Sequence, residues 1–95
     1  MKLLNTIKIK QGNIYACHHG QYAGQLFAFI CRDKKEQTYN FLRMPDMITT
    51  KISQNDFDDG IEKGIIEFVE KVPKYVNKVI VAQYKKNENT DHRRE

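Results

Sequence analysis

An α+β fold is predicted: an antiparallel meander of four to five strands, then two C-terminal helices. Two observations carry this expectation. The apolar pattern has a period of two over residues 7–52 and a period near 3.6 from Phe57 onward. The links between the candidate strands are also too short for parallel crossovers, so sequential neighbours must run antiparallel. Tight meanders of this size often curl into small SH3-like barrels, a comparison of shape that transfers no function. Ninety-five residues leave room for one domain, placed at residues 1–86.

Ile7 and Ile9 alternate with Lys8, and Lys10-Gln11-Gly12-Asn13 reads as a turn. Ile14-Tyr15-Ala16-Cys17-His18-His19 follows as a strand, and Gly20-Gln21-Tyr22-Ala23-Gly24 as a loop with a glycine at each end. Gln25-Leu26-Phe27-Ala28-Phe29-Ile30-Cys31 is apolar on both faces after its first residue, the pattern of a central strand covered on both sides. Asp33-Lys34-Lys35-Glu36 is a polar turn, and Thr38-Tyr39-Asn40-Phe41-Leu42-Arg43-Met44 the next strand. Pro45-Asp46 breaks it, and Met47-Ile48-Thr49-Thr50-Lys51-Ile52 is a short last strand.

Phe57, Ile61, Ile65, Phe68, Val69 and Val72 then fall on one helical face. Ser53 or Asn55 can cap this helix, and Asp56, Asp58 and Asp59 sit near its positive end, with Lys71 in its last turn. Pro73 ends it and opens a second helix, whose face is Val76, Val79, Ile80 and Gln83, with Tyr75, Ala82 and Tyr84 beside it. Residues 87–95 contain nothing to bury, so they read as a disordered polar tail dispensable for folding.

Charge is arranged in blocks. Residues 1–52 hold eight Lys/Arg against three Asp/Glu, residues 53–72 two against six, and residues 73–95 six against three, for +4 overall. The acidic block is accounted for by the helix start. The basic N-terminal half is a candidate footprint for an anionic partner.

Several function classes fall away. No apolar run approaches the ~20 residues a membrane helix needs, and Asn5, Thr6 and Lys8 interrupt any signal-peptide core. A cytoplasmic protein without membrane contact is expected, its two cysteines free. No phosphate-binding loop, dinucleotide fingerprint, zinc-protease helix, nucleophile elbow or calcium loop is present, so no cofactor is expected.

Cys17, His18, His19 and Cys31 have metal-ligand chemistry but the wrong spacing. With Gly20 to Gly24 as the loop, His19 opposes Gln25, Cys17 opposes Phe27 and Cys31 opposes Asn13. The two cysteines then lie four residues, about 13 Å of backbone, apart along the strand, too far for a disulfide, and no metal site is expected. Cys17 and His19 would share one strand face as a nucleophile and base, but ~6.6–7 Å apart at the backbone and without a clear oxyanion loop, so no enzyme is expected.

Tyr15, Tyr22, Phe27, Phe29, Tyr39 and Phe41 lie among Arg32, Lys34, Lys35 and Arg43, the ingredients of single-strand nucleic-acid binding. Phe27, Phe29 and Phe41 are needed for the core. That leaves Tyr22, in its loop, with Arg32, Lys34, Lys35 and Arg43 as the candidate binding surface. Gly60 and Gly64 form a G-x-x-x-G that admits close approach of the chain's own sheet or of a second subunit, the internal contact being the one expected. By exclusion, the leading expectation is a small noncatalytic module that binds a protein, as monomer or homodimer. The alternative is a weakly basic nucleic-acid-binding domain using the sheet and the Tyr22 loop. The Lys-, Asn- and Ile-rich composition suits an AT-rich genome and suggests a phage-encoded accessory protein.

Overall fold

Alternating apolar residues in the first half of the chain build four strands joined by short links. The computed structural model describes residues 8–93, with side chains described through residue 88. β1 (Asn13–Cys17), β2 (Leu26–Asp33), β3 (Thr38–Met44) and β4 (Ile48–Ser53) form the meander. α1 (Gln54–Glu62), β5 (Ile66–Lys71) and α2 (Lys74–Arg93) follow. The sheet order is β4-β3-β2-β1-β5, and every neighbouring pair is antiparallel. The fold is α+β, as expected, but the sheet is open, with β4 and β5 as its edges. It does not close into an SH3-like barrel. After β4 the chain turns into α1 and is carried to the far edge, where β5, not β4, pairs with β1.

Each face of the sheet is buried under one helix. Tyr15, Phe27, Phe29, Tyr39 and Phe41 form an aromatic layer with Phe57 of α1. Ile14, Ala28, Ile30 and Leu42 form an aliphatic layer with Ile80 of α2. The consecutive residues Phe41 and Leu42 point to opposite faces, and both are 0% exposed. The expectation that β2 is covered on both sides therefore holds, as does the burial of Phe27, Phe29 and Phe41. Phe57 anchors α1, its ring stacked on Phe41 at 5.6 Å and edge-on to Tyr15 at 5.1 Å.

The first helix is much shorter than expected. Ser53 Oγ caps it by accepting from the Asp56 amide at 3.1 Å, but the helix stops at Glu62. Gly64, at φ +78°, turns the chain out in a conformation that favours glycine. Ile65, Phe68, Val69 and Val72 thus lie outside the helix, and Lys71 ends a strand. Ile66 and Phe68 alternate inward onto the aromatic layer, while Val69, at a bulge opposite Ile14 and Tyr15, is 49% exposed.

Other differences are local. The β1–β2 register pairs Tyr15 with Phe27, so the connecting loop takes in His18 and His19 and the pairing is offset by two residues from expectation. Ile9 packs on the aromatic layer without belonging to a strand, and Ile7 lies outside the described residues. α2 does not end at Lys86. It continues as helix through Arg93, over most of the expected tail, and the Asn87 side chain donates to the Met47 carbonyl at 3.1 Å and to Thr49 Oγ1 at 3.3 Å. The last two residues lie outside the described range.

Candidate functional site

The five residues expected to form one binding surface divide into two groups. Tyr22, in the β1–β2 loop, packs its ring edge-on against Phe27, with ring centroids 5.7 Å apart. The Arg43 guanidinium covers that ring, its carbon 5.0 Å from the centroid, and reaches Asp46 at 3.6 Å. Tyr22 is therefore half-buried between a core ring and a cation. Arg32 stands over Tyr39 at 5.7 Å, and Lys34 and Lys35 are exposed in the β2–β3 turn. Phe27 pairs with Arg43 and Arg32 pairs with Tyr39, so the groups are about 16 Å apart along β2. The rings between them are buried beneath α1, and no continuous stacking platform joins the two cationic ends.

α1 is only nine residues long and leaves part of the aromatic layer open on each side. The larger cleft has a volume of about 760 Å³ and is bounded by α1, β5 and the segment before β1. Ile9, Tyr39, Phe57, Ile61 and Phe68 supply its apolar surface. Its exposed charged residues are Lys8, Arg32, Asp58, Glu62 and Glu67. A second cleft of about 410 Å³ lies on the other side of α1 and is lined in part by Cys17, Tyr22 and Asp56.

The cysteine–histidine cluster separates. Cys17 donates its thiol to the His19 backbone carbonyl at 3.1 Å, not to the imidazole. His18 turns the other way and contacts Glu67 at 2.8 Å. Cys31 lies on the α2 side of the sheet, where Asn40 Nδ2 donates to its sulfur at 3.5 Å and to the Tyr84 hydroxyl at 3.2 Å. Burial, then the adjacent Cys31 sulfur, pushes the Tyr84 phenol up to about 12. Among the described residues, no three His, Cys, Asp or Glu side chains gather as a group able to hold a metal.

The outer face of α2 presents an apolar stripe to solvent. Tyr75 is 73% exposed and Val79 is 65% exposed, one turn apart. Val79, expected on the buried face, points outward; Val76, Ile80, Val81 and Tyr84 pack on the aliphatic layer instead. The available signal was the offset between the 75/79 and 76/80 pairs: a helix crossing a sheet buries one stripe, and only one of these pairs can face inward. Lys74, Lys78 and Lys85 are exposed around the outward stripe. Between residues 74 and 86 α2 carries four lysines and no carboxylate. Asp56 of α1 sits at the positive end of its helix, where it is favoured, whereas the first turn of α2 has no acid and begins with Lys74. Helix stability therefore explains the acidic start of α1 and not the basic start of α2.

Among the described residues no helix is long and apolar enough to cross a membrane. No protein-family profile, curated protein or solved structure matches the chain.

Proposed function

We propose that the protein is a small noncatalytic module that binds another protein through the outer face of α2. The observation that carries this reading is the exposure of Tyr75 and Val79, at 73% and 65%, on one lysine-flanked helical stripe. Large apolar side chains set side by side in water, with cations around them, match the anatomy of an apolar interface centre with a polar rim. Tyrosine is also enriched among the residues that dominate binding energy.

The burial of Phe27, Phe29, Tyr39 and Phe41 weighs against nucleic-acid binding on the sheet, since bases stack only on accessible rings. The loop position of Tyr22 offers no substitute, because its ring is already held between Phe27 and Arg43.

The test is a pull-down from source-cell lysate, with and without nuclease, using wild type and a Tyr75→Ser/Val79→Ser variant. A protein retained after nuclease by wild type and lost by the variant is the expected result. Loss of every partner on nuclease treatment would replace this reading with nucleic-acid binding.

A further inference from the structure

The charge blocks of the sequence become two surfaces of opposite sign. α1 exposes Asp56, Asp58 and Glu62, with Asp59 paired to the adjoining Lys63 at 3.0 Å, and α2 exposes Lys74, Lys78 and Lys85. The helices lie on opposite faces of the sheet, α1 over the aromatic layer and α2 over the aliphatic one. A single chain therefore cannot bring them together, but two copies can.

The acidic side also offers an apolar receptacle. The larger cleft beside α1 has about 760 Å³ of space, with Ile61, Phe68 and Tyr39 inside it and Asp58 and Glu62 on the α1 side of its mouth. Of the other charged groups facing it, Arg32 lies over the Tyr39 ring at 5.7 Å and Glu67 contacts His18 at 2.8 Å. Lys8, at the segment before β1, opposes an incoming cation and tempers the attraction. The basic side offers the matching projection, a tyrosine and a valine flanked by Lys74 and Lys78.

We propose that the protein associates with itself head to tail, the Tyr75–Val79 stripe of one copy seated in the acid-flanked cleft beside α1 of the next. This rests on the reading of α2 as a protein-binding face and names the partner as a second copy. The two surfaces differ, so the contact is heterologous. It leaves one free surface at each end and generates open chains unless the rotation closes a ring. Two apolar side chains and a few ion pairs make a small interface, so the association is weak, concentration-dependent and weakened by salt.

Sedimentation equilibrium at low and high salt tests the proposal on four proteins: wild type, Lys74→Glu/Lys78→Glu, Asp58→Lys/Glu62→Lys, and the conservative control Lys74→Arg/Lys78→Arg. Wild type and the arginine control are expected to exceed the monomer mass of 11.2 kDa increasingly with concentration, less so at high salt. Each charge reversal should stay monomeric alone, and mixing the two reversals should restore association, because every contact in the mixture is again between opposite charges. Circular dichroism confirms that the variants fold. A wild type that stays monomeric at all concentrations overturns the proposal, as does association unchanged by both reversals. If wild type is monomeric but captures a different protein, and Tyr75→Ser/Val79→Ser abolishes that capture, self-association fails while the protein-binding reading stands.

Discussion

Gly60 lies so close to Ile66 that a β-carbon on it would stand 2.6 Å from Ile66 Cδ1 and 2.9 Å from Cγ1. The contact joins α1 to β5 across the tight turn that ends the helix, and the amide of Ile65 donates to the Gly60 carbonyl at 2.8 Å within it. Alanine at position 60 would gain ~1 kcal/mol of helix propensity. It would also force a β-branched side chain out of place, at a cost of ~1–3 kcal/mol. We therefore expect Gly60→Ala to lower stability by about 1 kcal/mol net in a urea melt. An increase in stability would mean that Ile66 moves aside freely. Gly64 meets nothing within 4 Å, and its demand is the positive φ of +78° alone.

Tyr84 ties stability to alkaline pH. Its phenol is pushed up to about 12 from 10.0, by burial first and then by Cys31. A group whose folded pKa is raised holds its proton more tightly in the native state. Its contribution is complete below the unfolded pKa near 10 and is lost as pH rises toward 12. Stability should accordingly fall across that window, and Tyr84→Phe should flatten the decline. An unchanged pH profile in the variant would assign alkaline unfolding to another group.

Truncation after Lys86 should cost more than a surface change. The Asn87 side chain donates to Met47 and Thr49 on the β3–β4 side of the sheet. Each such bond contributes about 0.5–1.5 kcal/mol net. We expect the truncated chain to lose about 1–2 kcal/mol, with Asn87→Ala reproducing most of the loss. A chain that melts like wild type would return residues 87–95 to the status of a dispensable tail.

Binding to single-stranded RNA or DNA should be weak and controlled by salt. With ~3 usable cations the slope of log K against log salt is about −2. Tyr22→Ala should leave that weak binding unchanged, because the ring is already packed against Phe27. A titration of labelled oligonucleotide at two salt concentrations checks this. Submicromolar binding at 150 mM salt that the variant loses would make this a nucleic-acid-binding protein.

The meander was legible because its evidence is local. Residues 38–44 alternate except at the adjacent pair Phe41-Leu42 and end at Pro45, and β3 occupies those residues. The double-sided burial of β2 was likewise readable from Phe27-Ala28-Phe29-Ile30. Beyond Phe57 the sequence supports two periods at once: Ile65, Phe68, Val69 and Val72 fit a helical face, while Ile66 and Phe68 also fit a strand. Gly64 decides between them, but as part of a G-x-x-x-G it also resembled a helix packing motif. Tyr75, Val76, Val79 and Ile80 make α2 apolar on two adjacent stripes, and only the position of the sheet determines which one is buried. The separation of Tyr22 and Arg43 from Arg32, Lys34 and Lys35 required the register, which places them at opposite ends of two strands.

The outer face of α2, and not the sheet, is the surface expected to make contacts. Amide chemical shifts recorded as the labelled protein is concentrated, or as a captured protein is added, locate that surface residue by residue. Changes should centre on residues 74–82; under self-association they should also include residues 58–62 and the cleft residues Arg32, Tyr39 and Phe68. Changes confined to the Tyr22 loop and the β2–β3 turn around Lys34 and Lys35 would place the contact on the sheet ends and remove α2 from the interface.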